Sequence, residues 1–564
     1  MTEYTRWLGE NLSDPDLTEE LRSIEGNADE INDRFYQNLA FGTGGLRGVI
    51  GAGTNRINVY TVGKATQGLA DYLIAHSGGK KLSVAIAHDS RNKGGLFARQ
   101  SAMILAANGI HAYLYSELMP TPALSFAVRY LKCDAGICVT ASHNPAKYNG
   151  YKAYGSDGCQ ITADMADGVM EAMDKLDIFS DLKTMDFEDG QKSGLISFIE
   201  DSVVDAFIDA VYNESLKKNA SNLSVVYTPL NGSGKRCVLR IFEKLGIENV
   251  TVVPEQSMPD GNFPTCPYPN PEFREALDLG LKLCEKVKPD LLLATDPDCD
   301  RVGIAVRQND DYVLLSGNEV GILMLDYIAK ILTETGKMPV SPTVVTTIVS
   351  TDMVDPIAAD FGIEVRRVLT GFKYIGDVIA ELEEAGHPES YILGFEESYG
   401  YLSGGYVRDK DAVNGSMLIC EMASYYKEKG LSLMEAMESL YSKYGFYLNE
   451  TLNFAFEGQD GMVAMENIMN TLRKNPPETI AGYGILERSD YLNSKGVCGG
   501  KPFDISLPVS NVLEYRLDGG YKFTVRPSGT EPKIKIYLSA KGETREASKQ
   551  IIGKLGAAAE DLVN

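Results

Sequence analysis

The chain of 564 residues is 44% hydrophobic and 23% charged, a composition typical of globular proteins. Its net charge of −24 argues against nucleic acid and anionic membranes as partners, because both are bound through basic surfaces. At roughly 100 to 200 residues per domain, the length predicts three to five domains.

The N-terminal segment is acidic and polar and has no secretory signal pattern. No run of about eighteen apolar residues predicts a membrane span, so we expect a cytoplasmic protein. Residues 17–39 carry a helical pattern that predicts a leading helical arm. In the following segment 41–48 (FGTGGLRG), the glycines would allow close approach of a ligand to Arg47, an anion clamp. A plain glycine-rich hairpin explains this segment equally well.

Helices and strands alternate from residue 61 onwards, which is typical of an α/β fold. The elements predicted here are a helix at 61–75, a strand at 82–88, a helix at 95–108, a strand at 111–115, a helix after Pro122 and a strand at 134–139.

The loop after the strand at 134–139 carries Ser142 within the sequence TASHNPAKYNGYK. Pro145 restricts Asn144 to extended or turn geometry, so Ser142 should lie on a bent backbone at the rim of a sheet. A serine hydroxyl is a poor nucleophile unless a base, a metal or fixed positive charge assists it. The same loop can return Lys152 to this position. The alternative is an ordinary polar turn.

A second α/β segment begins with a helix at 200–216 and a strand at 223–227. The Gly-Lys pair at 234–235 is not part of a nucleotide-binding P-loop, because Pro229 and Arg236 occupy positions that the motif reserves for other residues. The turn-rich segment 259–272 is long for a connection, and such loops are often functional.

Three aspartates, Asp296, Asp298 and Asp300, follow a strand predicted at 291–294. Alternate residues of an extended chain share one face, so the three carboxylates should converge and repel one another unless a cation lies between them. Mg²⁺ is the best candidate for this cation. The segment is not an EF-hand loop, which would require glycine where Arg301 stands. The alternative is a solvated acidic turn that Arg301 partly neutralises.

A third segment, from about residue 312 to 445, contains two loops with polar side chains. Lys373 lies at a predicted helix N-terminus, where an anion is favoured. Glu396 and Ser398 offer groups that can bind adjacent sugar hydroxyls, and Arg408 and Lys410 add cations nearby in the sequence. Solvated loops are the alternative. The elements predicted in this segment are helices at 319–335 and 352–362 and strands at 343–349, 364–368 and 391–393.

From about residue 446 the pattern predicts a smaller α+β domain with a helix at 460–474. Between strands predicted at 522–525 and 533–538, a turn offers an arginine, hydroxyls and free backbone amides, which together form a phosphate nest. Its residues are Arg526, Ser528, Gly529 and Thr530. A hairpin turn is the structural alternative.

The segments TASHNP, DPDCDR, GFEES and RPSGTEP, in this order, resemble the α-D-phosphohexomutases, and with FGTGGLRG the chain is most similar to the phosphoglucomutase/phosphomannomutase branch. The resemblance implies an α/β protein of four domains around a central cleft, the first three of similar mixed α/β topology and the last a smaller α+β domain. The expected domains are 1–200 with the phosphoserine and the helical arm, 201–311 with the metal, 312–445 with the sugar site and 446–564 with the phosphate site.

The resemblance also implies residue roles. Ser142 matches the phosphoserine and a metal ligand, and the three aspartates match the Mg²⁺ ligands. Glu396 and Ser398 match residues that bind sugar hydroxyls, and the turn from Arg526 to Thr530 matches the loop that holds the distal phosphate. The positions that match the surroundings of the transfer centre are Arg47, His143, Lys152, Arg301, Lys373 and Lys410.

The implied activity is that of an isomerase, an intramolecular phosphotransferase that interconverts α-D-glucose 1-phosphate and glucose 6-phosphate with glucose 1,6-bisphosphate as activator and intermediate. Some branches of the family use histidines of the third domain as acid and base. Here His387 is the only one and lies outside the motifs. Lys152 and Lys410 are then the better acid/base candidates, although a lysine base must have its pKa lowered from about 10.4.

Several alternatives stay open. Mannose, glucosamine or pentose phosphates could replace glucose phosphate; a phosphatase would release the phosphoryl group to water; and a regulator would bind phosphosugars without chemistry. The partner is a small phosphosugar, and the oligomeric state, monomer or dimer, is not determined. The nine cysteines include no C-x-x-C pair and the five histidines lack metal-ligand spacing, which predicts reduced thiols and no zinc site.

Overall fold

The computed structural model of the chain describes residues 2–42, 44–456, 458–528 and 533–563, without the side chains of 458–460. In these ranges, four β-sheets follow one another along the sequence, with seven, five, four and eight strands. The chain divides into two compact units. The first unit comprises the residues up to Leu315 together with Tyr399–Tyr425, and the second comprises Ser316–Ser398 and the chain from Tyr426 onwards. No helix of the described ranges is both long and apolar enough to span a membrane.

The N-terminal arm is helical, as predicted for 17–39, and consists of three short helices. Each helix begins after a residue whose side chain accepts a backbone N–H, and Gly26, with a φ of +80°, separates the last two. Trp7 of the first helix is fully buried. The helices are α1 (Glu3–Gly9), α2 (Pro15–Ser23) and α3 (Ala28–Phe35).

The rest of the first segment alternates strands and helices close to the predicted positions. Its elements are β1 (Phe41–Gly42), β2 (Gly45–Val49), α4 (Val59–His76), β3 (Ser83–His88), α5 (Gly94–Ala107), β4 (His111–Leu114), α6 (Thr121–Tyr130), β5 (Ala135–Val139), β6 (Tyr148–Gly155), α7 (Ala163–Asp174), α8 (Phe187–Lys192) and β7 (Ile196–Phe198).

The second segment continues with α9 (Asp201–Asn213), β8 (Ser224–Thr228), α10 (Lys235–Lys244), β9 (Asn249–Val252), the short 3-10 helix Pro254–Gln256, α11 (Arg274–Val287), β10 (Leu291–Thr295), β11 (Val302–Gln308) and β12 (Asp311–Leu315). Because β12 pairs with β11, the domain boundary predicted at residue 311 falls inside this hairpin.

The third segment contains α12 (Gly317–Glu334), β13 (Thr343–Thr347), α13 (Val354–Phe361), β14 (Glu364–Val368), α14 (Phe372–Glu384), the 3-10 helix Pro388–Ser390, β15 (Tyr391–Phe395), β16 (Tyr401–Leu402), α15 (Ala412–Glu428) and α16 (Leu433–Tyr444). Within it, β16 and most of α15 belong to the first unit. The division into four domains therefore stays a proposal.

The first three sheets repeat one arrangement of three parallel strands. In each, the first strand of the repeat lies between the other two and is parallel to both. The three orders are β5-β3-β4, β10-β8-β9 and β15-β13-β14. This repeat confirms the predicted similarity of the first three segments. Since carboxyl ends of parallel strands lie at one edge of a sheet, the loops after β5, β10 and β15 occupy equivalent positions.

The last segment is β-rich, with an antiparallel sheet in the order β17-β24-β23-β22-β19-β20-β21. Apolar residues of α17 and α18 pack on it, among them Met469 and Leu555. Its elements are β17 (Phe446–Ala455), α17 (Gly458–Lys474), β18 (Thr479–Ile480), β19 (Tyr483–Asp490), β20 (Lys495–Cys498), β21 (Lys501–Asp504), β22 (Leu513–Leu517), β23 (Tyr521–Pro527), β24 (Lys533–Gly542) and α18 (Arg545–Val563).

Candidate active site

Ser142 lies in the loop that follows β5, on a left-handed backbone with a φ of 52°. Its side chain is 5% exposed. Its backbone N–H donates to Thr140 Oγ1 at 2.8 Å, and its hydroxyl donates to Asp296 Oδ2 at 2.8 Å. The second hydrogen-bonding neighbour of this hydroxyl is His143 Nδ1 at 3.1 Å. The serine is thus fixed against an acidic group instead of lying in an ordinary solvated turn.

The three aspartates after β10 converge as predicted, with carboxylate oxygens within 4.8 Å of one another. All three are buried, at most 1% exposed. The predicted reason is wrong, because the backbone from Pro297 to Cys299 forms a turn, and Cys299 has a left-handed φ of 52°. The turn folds Asp300 N–H back to Asp296 Oδ1 at 3.0 Å. Convergence comes from this turn and not from alternation along a strand.

Two lysines of the first unit neutralise part of this acidic cluster. Lys152, on β6, places Nζ 2.8 Å from Asp298 Oδ2 and 3.3 Å from Asp300 Oδ2. Lys410 places Nζ 2.9 Å from Asp300 Oδ2 and 3.3 Å from Asp409 Oδ1. Both cations therefore approach the aspartates from chain segments far from them in sequence.

The charges of the cluster shift the pKa values of its members. Burial and the charges of Asp298 and Asp300 raise the pKa of Asp296 well above its usual range. Burial opposes the charged form of Lys152, but the neighbouring carboxylates outweigh it and hold its pKa well above the usual value. The lowered pKa that a lysine base requires is therefore not found at Lys152. Burial, together with the charges of Arg301 and Arg47, keeps the pKa of His143 well below its usual value.

The donor set of the triad fits a divalent cation. Asp298 Oδ1 and Asp300 Oδ1 are buried and accept no hydrogen bond from the described residues. Buried carboxylate oxygens without donors are costly, and a hard cation such as Mg²⁺ is bound by such oxygens. Ser142 Oγ, which contacts Asp296, is adjacent to the same group.

Four residues that sequence reasoning missed support the serine and the triad. Asp89 and Arg91 follow β3, and Thr140 Oγ1 donates to Asp89 Oδ2 at 2.6 Å. Thr121, the first residue of α6, donates from its hydroxyl to Asp298 Oδ2 at 2.9 Å and from its N–H to Asp298 O at 2.9 Å. The only sequence signal for Asp89 and Arg91 was their position just after a predicted strand.

Two loops of the second segment, both singled out in the sequence, brace the triad. In the Gly-rich loop 228–235, Ser233 donates from its hydroxyl and its N–H to Pro297 O, at 2.9 and 2.8 Å. The long loop 259–272 supplies Glu272, which pairs with Arg301 at 2.7 Å. Arg301 is thereby held beside Asp300 instead of simply screening a solvated turn.

Two predicted cations, Arg408 and Arg47, differ in their exposure. Arg408, predicted to bind substrate, is 1% exposed and donates to the backbone oxygens of Gly405 and Val407. Arg47 is exposed on β2, which pairs with β1 in a hairpin, and its charge contributes to the lowered pKa of His143. At Gly45 any Cβ would lie 1.7 Å from Tyr151 O, so here the glycine permits strand pairing.

The predicted sugar and phosphate residues lie in the second unit. Glu396 Oε1, after β15, accepts the N–H of Gly371 at 2.9 Å. Lys373 is the second residue of α14, as expected for a helix N-terminus, and Ser398 follows in the same loop as Glu396.

Arg526 lies on β23, and the N–H of Ser528 donates to Lys533 O at 2.7 Å. Gly529 and Thr530 lie outside the described residues.

Comparisons with known proteins match most of the chain. Profiles described as phosphoglucomutase/phosphomannomutase α/β/α domains I, II and III match residues 38–178, 205–309 and 316–444. A phosphoglucomutase of Staphylococcus haemolyticus is 36% identical over 521 residues, which are 92% of this chain and 93% of that protein. A phosphoglucomutase of Staphylococcus aureus is 37% identical over 519 residues, 91% of each chain.

Solved structures share the fold. The open form of pp63/parafusin, a phosphoglucomutase from Paramecium, superposes with a TM-score of 0.70 at 19% identity and covers 93% of this chain and 95% of its own. A phosphoglucomutase/phosphomannomutase family protein from Burkholderia thailandensis gives a TM-score of 0.67 at 20% identity, over 93% and 97%.

Proposed function

Since the chain belongs to the phosphoglucomutase/phosphomannomutase family of α-D-phosphohexomutases, we propose that it is a phosphoglucomutase that interconverts α-D-glucose 1-phosphate and glucose 6-phosphate. The observation that carries the proposal is the contact of Ser142 Oγ with Asp296, in a cluster of three buried carboxylates faced by Lys152 and Lys410. This is a hydroxyl placed where transferred phosphoryl charge is neutralised.

In the proposed cycle, phosphorylated Ser142 gives its phosphoryl group to the 6-hydroxyl of glucose 1-phosphate. The P–Oγ bond breaks, the P–O6 bond forms, the proton of the 6-hydroxyl passes to the released Ser142 oxygen, and the product is glucose 1,6-bisphosphate. After the intermediate turns over, Ser142 Oγ attacks its 1-phosphate, and glucose 6-phosphate leaves. The proton of the Ser142 hydroxyl has two acceptors at hand, Asp296 Oδ2 at 2.8 Å and the neutral His143 Nδ1 at 3.1 Å.

Lys152, with its raised pKa, enters this scheme as a cation and a proton donor to a leaving oxygen. Lys410, Arg47 and Arg301 add positive charge for the transferred group. Mg²⁺ is the proposed metal; bound by Asp296, Asp298, Asp300 and the Ser142 oxygen, it would supply further positive charge for the phosphoryl oxygens.

Residues of the second unit are proposed to orient the substrate. Glu396 and Ser398 are proposed to bind adjacent sugar hydroxyls, and Lys373 to bind phosphate at the N-terminus of α14. Arg526, Ser528, Gly529 and Thr530 are proposed to bind the phosphate that is not transferred. The same groups must accept both orientations of the bisphosphate, since each phosphate takes its turn at Ser142.

The test is turnover of α-glucose 1-phosphate with Mg²⁺ and a trace of glucose 1,6-bisphosphate, beside mannose 1-phosphate and ribose 1-phosphate. We expect glucose to be turned over fastest and Ser142→Ala to lose turnover. Preference for another sugar would leave the mechanism and change the substrate. Release of inorganic phosphate at the rate of isomerisation would favour a phosphatase, and no turnover of any sugar by phosphorylated protein would favour a regulator.

We retain the cytoplasm as the predicted location, because the nine cysteines of this chain form no disulfide and eight of them are buried.

A further inference from the structure

The conformation of Ser142 is unusual and needs support. Its left-handed φ of 52° is unfavourable for a residue with a side chain, by roughly 1–2 kcal/mol. The loop that holds it, residues 140–148, has few of its own backbone hydrogen bonds: Asn144 N–H to Ala141 O and Tyr148 N–H to Pro145 O are the two that both begin and end inside the described loop. Groups outside the loop must therefore fix it.

Arg91 supplies that support with one guanidinium. Its Nη2 donates to Ser142 O at 2.5 Å and to Asn144 O, and its Nη1 donates to Pro145 O at 3.0 Å and to Tyr148 O at 2.9 Å. The residue is 3% exposed. Four carbonyls of one loop are thus bound by one rigid, planar donor, which a lysine cannot imitate.

Asp89 completes the support from the other side. Its Oδ2 accepts the hydroxyl of Thr140, whose oxygen in turn accepts the N–H of Ser142. Its Oδ1 accepts the N–H of Arg91 at 2.9 Å, and its Oδ2 lies 3.5 Å from Arg91 Nε. One buried ion pair therefore holds both the amide and the carbonyl of Ser142.

We propose that Asp89 and Arg91 are positioning residues for phosphoryl transfer, which keep Ser142 left-handed with its hydroxyl toward Asp296. The expected loss of phosphoryl transfer rests on the proposed function. The effect on the conformation of residues 140–148 rests only on the contacts of that loop. Neither residue contacts the Ser142 hydroxyl; both act through Thr140 and the backbone of the serine loop.

The test compares Arg91→Lys with Arg56→Lys. Arg56 is a matched control, since it is also buried and donates to backbone oxygens, those of Asp33 and Asn55, away from the serine loop. The measurements are kcat and KM for glucose 1-phosphate, the rate at which glucose 1,6-bisphosphate phosphorylates Ser142, and amide hydrogen exchange in the peptide 140–150.

For Arg91→Lys we expect kcat and the phosphorylation rate to fall about 100-fold with KM within about twofold, because misplacement by about 1 Å can cost this much. We also expect amide exchange of 140–150 at least about tenfold faster than in the control. A phosphorylation rate within about threefold of wild type overturns the proposal, and so does a slow rate without faster exchange.

If Arg91→Lys does not fold, Thr140→Val serves instead, because it keeps the shape and removes the hydroxyl between Asp89 and Ser142. The same exchange and rate changes are expected. If the wild type turns over no sugar and accepts no phosphoryl group, the proposed function has failed. In that case, amide hydrogen exchange of residues 140–150 in the variant tests the positioning role by itself, and exchange at the wild-type rate overturns it.

Discussion

Replacing Lys152 by methionine removes the cation nearest to the acidic triad and keeps the length of the side chain. Its Nζ lies 2.8 Å from Asp298 Oδ2. At an effective dielectric constant of about 20, a unit pair at this distance interacts by about 6 kcal/mol, before the desolvation of both groups is subtracted. Loss of one preorganised electrostatic group typically costs about 2.7–4 kcal/mol, or 10²–10³ in kcat. We expect Lys152→Met to lower kcat by this factor.

The Mg²⁺ dependence of the same variant separates an electrostatic role from a simple packing defect. Without the lysine, the triad carries more uncompensated negative charge, so the Mg²⁺ concentration for half-maximal turnover should fall while kcat falls. Lys410→Met, which removes the contact with Asp300, should change both quantities in the same directions. Initial rates of glucose 6-phosphate formation over a Mg²⁺ titration measure both. A kcat within about threefold of wild type would refute the reasoning.

Three further predictions concern metal binding, stability and pH. Asp298→Asn should raise the half-saturating Mg²⁺ concentration by about tenfold or more, since changes near a metal typically cost 10–100-fold in affinity; a titration of turnover with Mg²⁺ measures it, and an unchanged value contradicts the ligand role. Glu421→Gln should destabilise the protein by about 2–4 kcal/mol in urea unfolding, because the buried carboxylate accepts the N–H groups of residues 216–218 and charged acceptors contribute about 1.5–3 kcal/mol each. Glu214→Gln should raise the melting temperature at pH 7 but not near pH 4. Burial raises the pKa of Glu214, so its ionised form costs stability at neutral pH and this cost vanishes as the pH falls below both pKa values; an equal gain at both pH values contradicts this.

Much of the fold and part of the site follow from local sequence. The alternation of buried strands and amphipathic helices predicts the α/β segments, and the loops after β5 and β10 carry Ser142 and the aspartates as expected. Their chemistry is local, because each motif lies within a few residues of the end of one strand. The break between α2 and α3 and the pairing of β11 with β12 could not be predicted, because caps and strand pairing depend on single side chains and distant partners.

The missed residues share one physical feature. Asp89, Arg91 and Thr121 act through contacts with residues 51 to 177 positions away, which only the pairing of β3 with β5 and the packing of two segments bring about. For the same reason, the sequence predicts only part of the role of Lys152. Its proximity to Ser142 follows from the loop, but its raised pKa follows from Asp298 and Asp300, which a sequence does not place beside it.

The repeated strand order gives these long-range contacts a common cause. In each of the three sheets the middle strand ends beside the strand that carries a motif, so the loop after the middle strand supports the motif loop. Asp89 follows β3 and binds Thr140, Ser233 follows β8 and binds Pro297, and Thr347 ends β13 and donates to Glu397 at 3.2 Å.

The groups that support the loops after β5, β10 and β15 differ in kind. A hydroxyl of the supporting loop contacts Pro297 and Glu397, whereas the loop of Ser142 is bound by a buried ion pair and four carbonyl hydrogen bonds. Ser142 is also the side chain proposed to form and break a covalent bond in every turnover. A nucleophile that must return to one place after each transfer requires the most rigid support, and an arginine paired with an aspartate provides it at the cost of burying both charges.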